Sequence, residues 1–316
     1  MIRLFLLGGL LFWTQIDIAY SKSSRDFPDI ARAETIVLEL TERKHGKSEV
    51  PIEFVMPTQP RQTPVPLVIL QHGSTQDAKN IFNGSVNTDV HQYQLAKRAL
   101  KNGFAVGIVD AFYKKDLKPG DKSEFPQAHV YAKQIAEYFA QNSELDKNNF
   151  FYSGFSYGGH QALMLMKNLY FSGSYKWAGL VSADPPCGWF HEPRAFITPL
   201  LTIKGGESHY KPKPCQIMTD LYKQAGSQAE IIIFPKSNHY FSHNGKFVKG
   251  PAVNGCADNP VIIQQSGGAM FLDGTKATRK IIKKKCFTKQ AGSGKSREDL
   301  EQVITFSVEF FIKNLN

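Results

Sequence analysis

The sequence predicts an α/β fold built on a doubly wound, mostly parallel sheet with helices on both faces. Three observations predict it. Short apolar runs alternate with helical patterns along most of the 316 residues, the arrangement of a parallel sheet crossed by helices. Several of those runs are continuously apolar, as strands buried on both faces must be. One of them ends in Gly154-Phe155-Ser156-Tyr157-Gly158 with a helical pattern following at once, which puts a serine in a tight strand-to-helix turn.

The elements can be read in order. Residues 34–40 and 50–56 alternate as an antiparallel pair joined by a polar turn at His45-Gly46. A proline-rich piece, 58–66, leads into the buried strand Leu67-Val68-Ile69-Leu70. Residues 89–102 read as a helix stopped by Gly103, 104–109 as a strand and 128–141 as a helix. Strand 150–152 feeds the serine turn and a helix over 157–169. Strands over 178–181, 199–203 and 230–234, a helix over 216–224 and a closing helix over 297–313 complete the set. Residues 240–296 are the exception, with no helical period and one turn signal, Asp273-Gly274, suited to a hairpin. A stretch this long is read as an insertion within a single domain spanning 22–316.

Arg3, the apolar run Leu4–Trp13 and Ala19-Tyr20-Ser21 read as a cleaved export signal over residues 1–21, with a mature chain starting near Lys22. The run is too short for a comfortable span of about 20 residues, so no membrane-spanning segment is expected after cleavage. A secreted or periplasmic protein with four cysteines is expected to hold two disulfides. Of three possible pairings, Cys187 with Cys215 and Cys256 with Cys286 are favoured, because each pair brackets one loop region. Their spacing fits no zinc site, and no metal is expected. The net charge of +10 is concentrated. Residues 244–297 hold eleven Lys or Arg against Asp258 and Asp273, a surplus of nine, and the rest is near neutral. That distribution argues against a nucleic-acid binder. The run Lys283-Lys284-Lys285 is read as a solvated face, with an anionic surface or polysaccharide as its alternative partner.

A serine becomes a nucleophile when a base takes its proton and a third group holds that base. Ser156 is the expected nucleophile. His239 follows strand 230–234 in a loop at a strand's carboxyl end, ahead of His243; His160, on the helix after the serine, suits packing or pocket lining. The acid should follow an earlier strand: Glu207, after 199–203, leads, and Asp184, after 178–181, is the runner-up. The expected oxyanion donors are the backbone amides of Tyr157 and of Ser74, which follows Gln71-His72-Gly73.

With these pieces placed, the chain resembles the α/β-hydrolases, nearest to the dienelactone-hydrolase-like branch. The resemblance spans roughly residues 50–240 and the last helix. It is carried by Leu70-Gln71-His72-Gly73, by the strand 104–109 with its terminal Asp110, by Gly154-Phe155-Ser156-Tyr157-Gly158-Gly159, and by Asn238-His239-Tyr240-Phe241. It implies an α/β-hydrolase fold and a hydrolase of esters or related acyl bonds that needs no cofactor. The chain departs from that branch in having Ser156 where cysteine is usual, Glu207 where the acid is commonly Asp, and a long segment between His239 and the last helix. An exported serine esterase is therefore expected. A peptidase or polymer depolymerase on the same triad is the alternative, and a non-catalytic anion-binding module ranks third.

Overall fold

A computed structural model describes residues 30–74, 90–118, 120–167, 173–239, 248–293 and 299–316. The export segment 1–21 and His243 lie outside the described residues. No helix among the described residues is long and apolar enough to cross a membrane.

Two long strands open the described part of the chain, β1 (Ile30–Glu42) and β2 (Gly46–Pro57), paired antiparallel across a turn at 43–45, with Gly46 at the start of β2 at φ 61°. The parallel strands follow: β3 (Val65–Gln71), β4 (Ala105–Val109), β5 (Leu145–Phe155), β6 (Trp177–Ala183), β8 (Leu200–Gly205) and β9 (Ala229–Phe234). A short strand, β7 (Trp189–His191), lies outside this sheet. The eight-stranded order is β1-β2-β4-β3-β5-β6-β8-β9, and every pairing beyond β2–β4 is parallel.

Period-two alternation sorts the strand side chains between two cores. Phe150 and Tyr152 face the cluster covered by α2 (Ala128–Phe139), α3 (Tyr157–Leu165) and α4 (Lys213–Gln224). Phe151, between them, faces the opposite cluster with α1 (Val90–Lys101) and α6 (Leu300–Lys313). Helices therefore cover both faces, as the sequence predicts. Each fully buried ring contributes about 1.5–3 kcal/mol. The resulting rigid sheet puts the carboxyl ends of β3, β5, β6, β8 and β9 along one edge.

The segment after β9 departs from the sequence reading, which found no regular structure beyond one turn. It contains β10 (Val248–Ala252), β11 (Val261–Ile263), β12 (Ala269–Phe271), α5 (Arg279–Lys285) and β13 (Thr288–Ser293). β10 pairs with β13, and β11 lies between β12 and β7. The Asp273-Gly274 turn is present: Phe271 N–H donates to Thr275 O at 2.7 Å and Gly274 has φ 84°. A seven-residue helix is marginal alone. Tertiary contacts hold α5. The Thr278 hydroxyl caps it through Ile281 N–H at 3.3 Å, Ile281 and Ile282 pack on Val261 and Phe271, and Cys286 at its end is bonded to Cys256. The other disulfide joins Cys187 to Cys215 at the start of α4.

Candidate active site

Ser156 sits between β5 and α3 with φ 54° and ψ −107°. A side chain held there costs of order 1–3 kcal/mol of backbone strain, and the neighbours impose it. Ser156 N–H donates to Ala183 O at 2.8 Å, and Ser156 O accepts from His160 N–H at 2.9 Å. A Cβ on Gly158 would lie 2.4 Å from Gln71 O, so only glycine lets α3 start this close to β3.

The Ser156 hydroxyl is 2.9 Å from His239 Nε2, and His239 Nδ1 is 2.5 Å from Asp184 Oδ2. With Nδ1–H donating to the carboxylate, Nε2 keeps its lone pair toward the serine. All three residues are buried. Asp184 follows β6 with φ 42° and is fully enclosed. Its Oδ2 also accepts from Ser208 Oγ at 2.7 Å, and its Oδ1 accepts from Gly205 N–H at 3.0 Å and pairs with Lys204 Nζ at 2.5 Å. Burial acts to raise the Asp184 carboxyl; the Lys204 ammonium and His239 outweigh it and hold it well below the usual carboxylate range. Burial lowers the pKa of His239, with Asp184 opposing.

The carboxylate at His239 is thus that of Asp184, the runner-up, and not that of Glu207. Glu207 follows β8 as expected, but its side chain is exposed and its N–H donates to Ser237 O. The physical reason is local. β6 adjoins β5, and the left-handed turn at Asp184 keeps its side chain beneath the imidazole, where Nδ1 has a single proton to give.

The loop after β3 is fixed from below by His72. Its Nδ1–H donates to Gly73 O at 2.5 Å and its Nε2 accepts from Ala111 N–H at 3.2 Å. Ser74 and Tyr157 border the same cavity as Ser156.

No family model and no curated protein matches this chain. Solved structures do. Over 92% of this chain and 97% of its own length, Thermogutta terrifontis esterase 2 phosphorylated by paraoxon superposes with a TM-score of 0.53 at 11% identity. The same esterase phosphoramylated by tabun gives 0.51 at 11% identity, over 92% and 97%. A Klebsiella pneumoniae protein assigned as a dienelactone hydrolase gives 0.47 at 16% identity, over 66% of this chain and 88% of its own. With this strand order, the two superpositions on the Thermogutta esterase settle the architecture. The fold is that of the α/β-hydrolases.

On this α/β-hydrolase sheet the cavity above Ser156 has a volume of ≈1180 Å³. Phe125, Met164 and Trp189 give it an apolar wall, and Arg279, Lys280 and Lys283 of α5 form another part. His160 lines it too, its Nε2 accepting from Trp189 Nε1–H at 2.8 Å, while burial lowers its pKa to about 3. The insertion also grips the histidine loop. Gly292 O accepts from His239 N–H at 2.8 Å and from His209 N–H at 3.3 Å, and the His209 ring packs edge-on against His239 with centroids 4.3 Å apart. The sequence reading missed Lys204, His209 and Lys122. Lys204 carried a signal: a lysine continuing an apolar strand run has to find a buried partner.

Proposed function

We propose that the chain is an exported serine hydrolase that cleaves carboxylic esters through an acyl-enzyme, as one α/β-hydrolase domain over residues 22–316. The observation that carries this reading is the hydrogen-bonded row Ser156–His239–Asp184 opening onto the cavity. In this reading His239 Nε2 takes the Ser156 proton as Oγ attacks the ester carbonyl. Asp184 holds the tautomer and stabilises the imidazolium. The amides of Tyr157 and Ser74 receive the oxyanion, commonly the largest electrostatic contribution. Nε2–H then protonates the leaving alcohol, and water repeats the sequence on the acyl-serine. No cofactor takes part.

Two disulfides fit an oxidising compartment. Ser156→Ala should abolish both turnover of short-chain aryl esters and labelling by a fluorophosphonate. Undiminished activity in that variant would sink the assignment.

A further inference from the structure

The cavity over Ser156 is lopsided in charge. Lys122, Arg279, Lys280 and Lys283 line it, and no Asp or Glu does among the described residues. Neither Arg279, Lys280 nor Lys283 forms an ion pair with a described carboxylate. Arg279 and Lys283 are also four apart on one helix, a like-charge spacing that disfavours the helix. No described carboxylate screens that pair, whereas a bound anion would. Lys122 adds a positive charge at the site itself: its ammonium donates to Tyr210 Oη at 3.0 Å, and the Tyr210 ring meets His239 edge-on, centroids 5.0 Å apart.

The basic run is divided by function. Lys283 lines the cavity; Lys284 and Lys285 do not. α5 is also anchored, because Cys286 is bonded to Cys256 and Cys286 O accepts from Gly255 N–H at 2.9 Å. Cations on a fixed wall beside apolar side chains recognise an amphiphile: the apolar surface takes its body and the charges focus on its anionic end. At ≈1180 Å³ the cavity exceeds the usual range of about 300–1,000 Å³ for small-molecule sites. It has room for both parts.

We infer that α5 is an anion-recognition wall, and that the substrate is a small amphiphilic ester carrying a carboxylate or similar anionic group remote from the scissile bond. The inference rests on the ester-hydrolase reading of Ser156, and the test separates the two. Binding is read first in Ser156→Ala, with 1-anilinonaphthalene-8-sulfonate as the anionic probe and uncharged N-phenyl-1-naphthylamine as its control. Turnover is then read on two matched pairs of aryl hexanoate-length esters. One pair differs by a terminal carboxylate on the acyl chain, the other by a carboxylate on the leaving phenol.

One of the two carboxylate esters should be preferred by about tenfold in kcat/KM, equivalent to about 1.4 kcal/mol. Lys280→Gln/Lys283→Gln should erase that preference and weaken the anionic probe about tenfold, leaving the uncharged probe unchanged. Lys284→Gln/Lys285→Gln should alter neither. All four side chains are exposed, so these variants leave the core intact. Equal preference in both pairs, or equal losses from the two double variants, overturns the recognition wall. Failure of the natural chain to cleave any ester, with the probe dependence intact, overturns the esterase reading and leaves the anion site standing.

Discussion

Asp184→Asn tests the assignment of the acid most directly, because it changes charge with almost no change in volume. The carboxylate has four neighbours: His239 Nδ1 at 2.5 Å, Ser208 Oγ at 2.7 Å, Gly205 N–H at 3.0 Å and Lys204 Nζ at 2.5 Å. An amide nitrogen facing Nδ1 would favour the opposite tautomer, turning a hydrogen on Nε2 toward Ser156. Loss of the triad carboxylate's charge is expected to cost roughly 10⁴-fold in kcat. The same substitution strands the Lys204 ammonium, which is wholly buried, at a stability cost of about 3–5 kcal/mol. Activity must therefore be separated from folding. The double variant Asp184→Asn/Lys204→Met removes both buried charges, and should recover most of the stability while remaining inactive. The assay is aryl-ester turnover normalised to folded protein, with thermal unfolding measured in parallel. Glu207→Gln, at an exposed position outside the Ser156–His239–Asp184 row, should keep kcat within the equivalent of about 0.5 kcal/mol of the natural chain. A Glu207 variant as inactive as the Asp184 variant, or a double variant with near-normal kcat, would refute the reasoning.

Two further outcomes follow from the same geometry. Burial lowers the His239 pKa from its ordinary 6.5, so the neutral, base-competent imidazole persists to lower pH. A pH profile of kcat/KM on an uncharged ester should rise through a single ionisation centred below pH 6.5 and be flat at neutrality; a midpoint above 6.5 would contradict this. Gly158→Ala should yield little folded protein or an inactive one, since its methyl would meet Gln71 O at 2.4 Å. Soluble expression with full activity would show that the elbow relaxes more easily than its packing implies.

Much of the fold was legible because its causes are local. Period-two and helical apolar patterns, the Gly103 stop and the glycines around Ser156 each state a need of nearby backbone, and the elements appear where those needs place them. The insertion was not legible, because β11 depends on pairing with β7, some 70 residues earlier in the chain, and α5 on a disulfide and a small core. Neither leaves a periodic trace. Ser156 and His239 were readable from their positions after strands. The acid was not, since Glu207 and Asp184 occupy equivalent places in the sequence pattern.

The sequence alone determined an alternating α/β chain with a serine forced into a strained turn and a histidine at a later strand end. Tertiary structure alone decided which carboxylate reaches that histidine, that a buried lysine backs it, and that half of a lysine-rich helix turns toward the cavity. The reason is one of range. Backbone periodicity and steric need act over a few residues, whereas electrostatic partnership depends on which strand ends become neighbours when the sheet assembles.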